Sequence, residues 1–282
     1  MVVHFLGCSS LTSINIPSSV TSIFTPLLSD CDNLASISVD ENNTMYDSRD
    51  NCNAIIEKST NTLLNGCKNT VIPDSVIKIA YGAFSGSGLI SIEIPSNVTT
   101  IDSNAFQNCS ELTYVNILAN IDWIHNATFW NCSSLTSINI PSSVVAIGYG
   151  AFSGCASLKK IDLPDSLTGI SESAFYGCES LTSITIPSNV TGIGYGVFSN
   201  CSGLTNVSIP SSMVNIGTGA FSGCTNITSI NIPSSVTKMG GSVFSDWTAA
   251  QIINCEVDSP PDGWSSYWNN GCNAQINWNV QQ

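Results

Sequence analysis

The sequence predicts a solenoid of the α/β type that is mostly β, with short strands, turns and little helix. Two observations predict it. Residues 10–20 read SLTSINIPSSV, and residues 134–144 repeat these letters without a change. The phenylalanines also recur with one constant period: Phe106, Phe129, Phe152, Phe175, Phe198, Phe221 and Phe244. A fixed period between about 20 and 50 residues is typical of repeats that stack on one another.

One repeat unit reads L-x-x-I-x-I-P-x-x-V-x-x-I-G-x-x-A-F-x-x-C-x-x. Its first part alternates apolar and polar residues, which predicts a short strand with side chains such as Ile138 and Ile140 pointing inward. The proline that follows has no N–H group to donate, so it ends the strand. The V-x-x-I segment gives a second inward pair, and Ala-Phe and Cys fill the end of the coil. A single coil cannot bury this apolar set, whereas stacked coils bury it against one another.

This I-P-x-x-V-x-x-I-G-x-x-A-F-x-x-C pattern resembles the BspA-like leucine-rich repeat surface protein family, over nearly the whole chain. The period also lies within the range of leucine-rich repeats, which is about 20–29 residues. The resemblance implies a right-handed leucine-rich-repeat superhelix. It further implies a surface or secreted protein of an anaerobic bacterium or parasitic protist, linked to adhesion and host-protein binding and without a shared catalytic motif.

The period breaks at two places, which divides the chain. We expect a leucine-rich-repeat solenoid over residues 1–245, with a β-hairpin insertion at about 40–72. We expect residues 246–282, which hold four of the six tryptophans, to form a C-terminal cap over the last apolar face of the stack. Tryptophan clusters also hold sugars, and that alternative stays open. Cys255 and Cys272 in this segment are a candidate disulfide pair.

The insertion has a hairpin pattern of its own. The segments NAIIEK and NTLLNG flank a Ser-Thr dipeptide, so a turn centred there places Ile56 opposite Leu63. The same register places Cys52 opposite Cys67, close enough for a disulfide. Two unlinked thiols on one face are the alternative, because a hairpin register is uncertain until its turn is known.

Composition limits the classes of partner. Seven Lys and Arg residues against 20 Asp and Glu residues give a net charge of −13, so nucleic acid and anionic membrane surfaces are poor partners. No apolar run is long enough to span a membrane, so no membrane insertion is expected. The start, MVVHFLGCSS, lacks the basic leader and long apolar stretch of a signal peptide. Since the chain begins in mid-unit, a truncated gene product or a fragment would explain that lack.

Neither metal nor cofactor nor catalysis is expected. The C-x-x-C spacing of zinc sites is missing, the two histidines are His4 and His125, and no G-x-S-x-G elbow precedes a helix. Most cysteines share one column of the repeat, where small buried side chains stack into a ladder. These are Cys8, Cys31, Cys109, Cys132, Cys155, Cys178, Cys201 and Cys224.

Candidate binding residues lie on two parts of the repeat. Residues between the inward apolar positions of each strand point to an exposed face, which is mostly small and neutral. The coil 112–130 departs from its neighbours because it carries large aromatic residues, which dominate interface energetics and stack on sugar rings. Sequence drift, with the rings lying on neighbouring coils or against the hairpin insertion, is the alternative. The tentative binding residues are Tyr114, Asn116, Trp123, His125, Trp130, Asn139, Lys160 and Asp162.

Together these observations predict a non-enzymatic binding protein at the cell surface or outside the cell. Its expected partner is a protein or glycan of a host or neighbouring cell, and a monomer is expected. A structural stalk that presents another module is the second hypothesis. A glycan-active enzyme is the third, and it rests only on tryptophans and scattered carboxylates.

Overall fold

The computed structural model describes residues 5–280, and in these the chain forms 21 short strands and a single 3₁₀ turn at Arg49–Asn51. The predicted mostly β solenoid with little helix is confirmed. The strands, in chain order, are β1 (Ser13–Ile16), β2 (Ser36–Val39), β3 (Tyr46–Asp47), β4 (Ala54–Glu57), β5 (Thr62–Gly66), β6 (Lys78–Ile79), β7 (Ser91–Ile94), β8 (Thr100–Ile101), β9 (Tyr114–Ile117), β10 (Trp123–Ile124), β11 (Ser137–Ile138), β12 (Ala146–Ile147), β13 (Gly169–Ile170), β14 (Ser183–Thr185), β15 (Gly192–Ile193), β16 (Asn206–Ser208), β17 (Asn215–Ile216), β18 (Ser229–Ile232), β19 (Lys238–Met239), β20 (Ile252–Cys255) and β21 (Gln275–Asn277).

Each coil presents two faces. The strand face carries strands of two to four residues in four parallel ladders, β1–β2, β7–β9–β11, β14–β16 and β18–β20–β21. The return face carries two-residue strands, and six of them form one sheet in the order β10-β12-β13-β15-β17-β19. Partners lie one repeat apart: Tyr114 pairs with Ser91 on one side and Ser137 on the other. The constant offset therefore stacks chemically equivalent positions in columns.

The core is built from these columns. In the strand Ser91–Ile94 the residues alternate between exposed and buried, as a strand with one face on the core must. The repeat phenylalanines are fully buried and stack face to face, with ring centroids 5.0–6.0 Å apart from Phe84 to Phe244. The turn residues on either side of each repeat phenylalanine form one edge of the solenoid, which we call the turn edge.

The cysteine column lies beside the phenylalanines. Each thiol from Cys109 to Cys224 donates a hydrogen bond to a phenylalanine carbonyl oxygen 25 or 26 residues earlier, at 3.0–3.3 Å. Ser87 takes the place of the cysteine in its coil, and its hydroxyl lies 3.5 Å from the Cys109 sulfur. Trp247 stands one repeat after Cys224, and its indole N–H donates to the Phe221 carbonyl at 3.0 Å. The column thus continues past Cys224, with an indole N–H in place of a thiol as the hydrogen-bond donor.

The insertion forms more than a hairpin. Strands β3, β4 and β5 form an antiparallel meander, and β5 continues in parallel with β6 and β8 of the return face. Ile56 opposes Leu63 as predicted, but a bulge follows, because Ile55 opposes Asn65 and leaves Leu64 without a ladder partner.

The bulge corrects the predicted register beyond Ile56. Ala54 opposes Gly66, so Cys52 and Cys67 are not opposite one another. Cys52 packs in the main core, whereas Cys67 packs in a second apolar cluster with Leu64. Both thiols are free, as are Cys255 and Cys272. The two candidate disulfides are therefore not formed.

The C-terminal segment keeps the parallel register. Strand β20 pairs with β18 and β21 pairs with β20, each with the same offset as in the regular repeats. The tryptophans cover the end of the phenylalanine column: Trp247 and Trp268 meet the Phe244 ring edge to face at 5.0 and 6.0 Å. Trp264 bonds the Val236 carbonyl through its indole N–H at 2.9 Å. Aromatic edges therefore bury the last phenylalanine face of the stack.

Candidate binding surfaces

Tyr114 and Asn116 project from β9 on the strand face. The Tyr114 ring is exposed, and its neighbours one coil away on either side are the serines Ser91 and Ser137. The Asn116 amide donates to the Glu93 carboxylate at 2.9 Å. A single exposed ring among hydroxyls and amides gives this face one apolar contact point in a polar ribbon.

Both polar atoms of the Asn139 side chain bond to the backbone of the neighbouring coil. Its side-chain oxygen accepts a hydrogen bond from the Ile117 N–H at 2.8 Å, and its amide donates to the Ile117 carbonyl at 2.8 Å. These two bonds replace the ladder bonds that a longer β11 would make, so the strand ends at Ile138. Asn139 therefore serves the sheet. The sequence did not reveal this, because the equivalent residues Asn15 and Asn231 bond to side chains instead.

Lys160 and Asp162 lie where the strand face has a gap, since their coil forms no strand there. The Lys160 ammonium and the Asp162 carboxylate form an ion pair at 2.9 Å, and both side chains are exposed. A depression of about 180 Å³ lies beside them and includes Ser183 and Thr185. With Glu93 of β7, this pair supplies charge to a face that is otherwise mostly neutral, and water screens an exposed pair strongly.

Trp123 and His125 lie on the return face. Trp123 is exposed on β10, and its ring stacks on the His125 imidazole with centroids 4.7 Å apart and an interplanar angle of 30°. Trp123 pairs with Ala146 in the next coil, so no large side chain covers it from that side. Trp123 and His125 together form a flat aromatic surface among small neighbours, which we call the Trp123 plate.

Trp130 lies on the turn edge and has a different partner. Its ring centroid is 6.0 Å from that of Tyr149, at an angle of 37°. The ring also covers Gly150, because a β-carbon built there would lie 2.6 Å from the Trp130 ring. The eight residues singled out from the sequence therefore fall on three separate surfaces: the strand face, the Trp123 plate and the turn edge.

Three exposed tyrosines on the turn edge are not among the residues predicted from the sequence. Tyr149 and Tyr195 occupy the position three residues before the repeat phenylalanine, and Tyr176 occupies the position one residue after it, as Trp130 does. Their side chains are 43–58% exposed. The pattern that could have revealed them is the alternation of aromatic and polar residues along these two columns, which only a column-by-column comparison of the repeats shows.

Comparison with known proteins decides the family. The model of the BspA type leucine rich repeat region matches in six copies, over residues 3–62, 56–178 and 123–251. The chain belongs to the BspA-type leucine-rich repeat family. No curated protein sequence matches significantly.

Three solved leucine-rich repeat proteins resemble this BspA-type chain. One from Bacteroides ovatus is 26% identical, with a TM-score of 0.54 over 92% of this chain and 75% of that one. One from T. pallidum is 31% identical, with a TM-score of 0.56 over 64% of this chain and 86% of that one. One from Eubacterium ventriosum is 25% identical, with a TM-score of 0.54 over 81% of this chain and 62% of that one.

Within residues 5–280, no group of three or more His, Cys, Asp and Glu side chains is placed to hold a metal ion. No helix in that same part of the chain has the length and apolar character to cross a bilayer. His4 lies outside the described residues.

Burial raises the pKa of most buried thiols in this BspA-type chain; Cys109 is an exception, because hydrogen bonds with Cys132 and Ser87 outweigh its burial and lower its pKa. Burial raises the pKa of the Cys155 thiol well above its ordinary value of 9.0. Burial, followed by a hydrogen bond with Cys178, does the same for the pKa of Cys201. Burial raises the pKa of Cys255 to about 12. A thiol must ionise to act as a nucleophile or metal ligand, so the thiols with raised pKa values are structural.

Proposed function

We propose that this protein is a non-enzymatic binding protein of the cell surface or the extracellular space, which engages a protein or glycan of another cell through its repeat surface. The observation that carries the proposal is the placement of large aromatic rings on the outside of a solenoid whose other exposed positions are mostly small. Trp123 on its His125 partner is the clearest example. Tryptophan and tyrosine are among the residues that contribute most when an interface buries them.

Family and charge support the same proposal. The chain belongs to the BspA-type family, whose resemblance implies surface proteins with a role in adhesion. A net charge of −13 with only 10% charged residues suits an extended contact with a neutral or basic partner. Solenoids offer such contacts because their surface extends along the stack.

A structural stalk is the second candidate, and a separate observation favours it. The strand face is largely neutral and small, and side chains there bond to each other or to the backbone, as Asn116 and Asn139 do. A surface of that kind is well hydrated and gains little on burial. A stalk would need only the stacked core.

A binding screen separates the two candidates. The purified protein is immobilised and exposed to host matrix proteins and to a glycan array, beside the variant Trp123→Ala/Trp130→Ala. The control is Tyr267→Ala, which removes an exposed ring from the C-terminal segment. We expect saturable binding that falls at least about tenfold in the double variant and persists in the control.

Two results would contradict the binding proposal. Folded wild-type protein that binds nothing on either array supports the stalk. Turnover of a glycan that a single acidic substitution abolishes makes the protein an enzyme. Circular dichroism of each variant shows whether it is folded, since Trp130 packs over Gly150.

A further inference from the structure

The turn edge carries four exposed or half-buried rings on four successive coils, which we call the aromatic stripe: Trp130, Tyr149, Tyr176 and Tyr195. Trp130 and Tyr176 lie in the column one residue after the repeat phenylalanine, and Tyr149 and Tyr195 lie in the column three residues before it. Between the two columns runs a line of residues with positive φ. In that line Gly150 and Gly196 have φ of 57° and 58°. Glycine leaves room there: the Trp130 ring lies over Gly150, and the floor at Gly196 stays open.

Two depressions follow this floor, one on each side of Tyr176. The first is about 270 Å³ and lies between Trp130 and Tyr176, over Ser153 and Gly154. The second is about 300 Å³ and runs from Tyr176 past Tyr195. The Tyr176 hydroxyl accepts a hydrogen bond from the Asn200 amide at 3.0 Å, which holds the shared ring in place. The stripe is therefore a shaped and partly fixed surface.

The lining is uncharged. Hydroxyl groups of Ser199, Thr218 and Ser222 line the second depression, and Ser173 lines the first. An exposed charge in the stripe is Glu172, which stands between Tyr149 and Tyr195 in their column. Flat aromatic rings above neutral hydroxyl and amide groups match a ligand with apolar C–H faces and many hydroxyls. A carboxylate beside them accepts hydroxyl hydrogen bonds and repels anions.

The spacing distinguishes a sugar chain from a peptide. Coils are 5.4–5.5 Å apart here, measured between the rings of Phe129, Phe152, Phe175 and Phe198. Trp130 and Tyr176 occupy one column two coils apart, a distance close to one disaccharide unit of an extended β-linked chain. Same-face side chains of an extended peptide recur every two residues, about 6.7 Å, which fits neither one coil nor two.

We propose that the aromatic stripe is a binding groove for a neutral, unbranched, β-linked polysaccharide that lies along the solenoid axis. Trp130 and Tyr176 stack on alternate sugar units, Tyr195 contacts the chain beyond Tyr176, and Tyr149 packs beside the Trp130 ring. The proposal rests on the proposed binding function and names its ligand class and site.

The test uses the full chain and oligosaccharides of defined length. Calorimetric titration with cellohexaose, xylohexaose and chitohexaose is compared with sulfated dextran. The variants are Tyr176→Ala and Tyr195→Ala, with Tyr176→Phe as the conservative form. The matched control is Tyr81→Ala, because Tyr81 stands in the same column as Tyr149, is equally exposed and has no aromatic residue in either stripe column on the adjacent coils.

We expect one neutral hexasaccharide to bind, and each Ala variant to weaken that binding at least about tenfold, because an anchoring ring is lost. Tyr176→Phe keeps the ring but loses the hydrogen bond from Asn200, so it weakens binding less than Tyr176→Ala does, and Tyr81→Ala keeps wild-type affinity. Affinity increases from the disaccharide to the hexasaccharide, because a longer chain reaches both depressions.

Four results overturn the inference. These are no binding of any neutral oligosaccharide, preference for the sulfated polymer, an equal loss in Tyr81→Ala, and binding that does not depend on Tyr176 or Tyr195. Saturable binding of a protein or an extended peptide, with no oligosaccharide bound, overturns the glycan groove and leaves the proposed binding function intact. If no protein, peptide or oligosaccharide binds, both the glycan groove and the proposed binding function are overturned.

Discussion

At the scale of single residues, two glycines with the same backbone geometry have different surroundings. Gly150 and Gly196 have φ of 57° and 58°, a region where an L side chain is strained. A β-carbon at Gly196 meets only Ser173 and Ser199 atoms at 3.7 Å, whereas one at Gly150 meets the Trp130 ring at 2.6 Å. The pair therefore separates backbone strain from the packing of Trp130.

We expect Gly196→Ala to cost about 1 kcal/mol of unfolding free energy, from backbone strain alone. Gly150→Ala costs this and about 1–2 kcal/mol more, because the Trp130 ring must leave its place. Thermal denaturation measures both, and the emission of Trp130 shifts to longer wavelength only in Gly150→Ala. Equal costs with unchanged emission would show that the ring does not rest on Gly150.

The element scale shows why the insertion was predicted only in part. The turn sequence sets the pairs next to it, so Ile56 opposite Leu63 follows from the turn alone. The bulge at Leu64 shifts the register without exchanging the faces of the apolar residues, because Ile56 and Leu63 pack in the main core and Ile55 and Leu64 in the second cluster. The apolar pattern therefore fits the regular and the bulged register equally well. The predicted pairing of Cys52 with Cys67 was lost for that reason.

We expect no Cys52–Cys67 disulfide when the native protein is treated with a mild oxidant. The Cys52 sulfur lies 3.7 Å from the Ser48 hydroxyl, and the Cys67 thiol donates to the Asn53 carbonyl at 3.4 Å, so the two thiols have separate surroundings. Non-reducing peptide mass mapping detects the bond. The same treatment in denaturant is the control, since the unfolded chain can form it. A native 52–67 crosslink would disprove the bulged register.

For the whole molecule, buried thiols with raised pKa values link folding to pH. Burial raises the pKa of Cys155, Cys201 and Cys224 above 9.0, and that of Cys255 to about 12. Below pH 9 the folded and unfolded chains both carry these four thiols protonated, so the stability that they contribute is complete. Above pH 9 the unfolded chain releases protons and the folded chain does not. Stability therefore falls as the pH rises.

We expect the melting temperature, measured with reductant present, to be constant from pH 7 to 8 and to fall between pH 9 and 11. Each buried thiol contributes a slope of up to about 1.4 kcal/mol per pH unit. Cys201→Ala lowers stability at pH 7 but has a shallower decline at alkaline pH. A wild-type melting temperature that stays level to pH 11 would contradict the raised pKa values of the buried thiols.

The fold was predictable at this scale, and the binding surface was not. The constant step from Phe106 to Phe244 determines that equivalent residues stack, and stacking determines the core. A surface depends instead on which columns lie side by side. Tyr149 precedes its phenylalanine and Trp130 follows its own, so most of a repeat separates them in sequence while their rings are 6.0 Å apart. Only the turn geometry brings them together.

The constant offset also has a consequence for inheritance. Nearly identical units such as 134–144 and 180–190 allow recombination to remove or duplicate one whole repeat without disturbing the frame of the stack. Loss of residues 153–175 would bring Phe152 against Phe198 in the same geometry as before. The aromatic rings, however, alternate between two columns from coil to coil. Within the four coils of the stripe, gain or loss of one unit breaks that alternation, whereas gain or loss of two preserves it, so single-unit changes that keep the stripe must fall outside these coils.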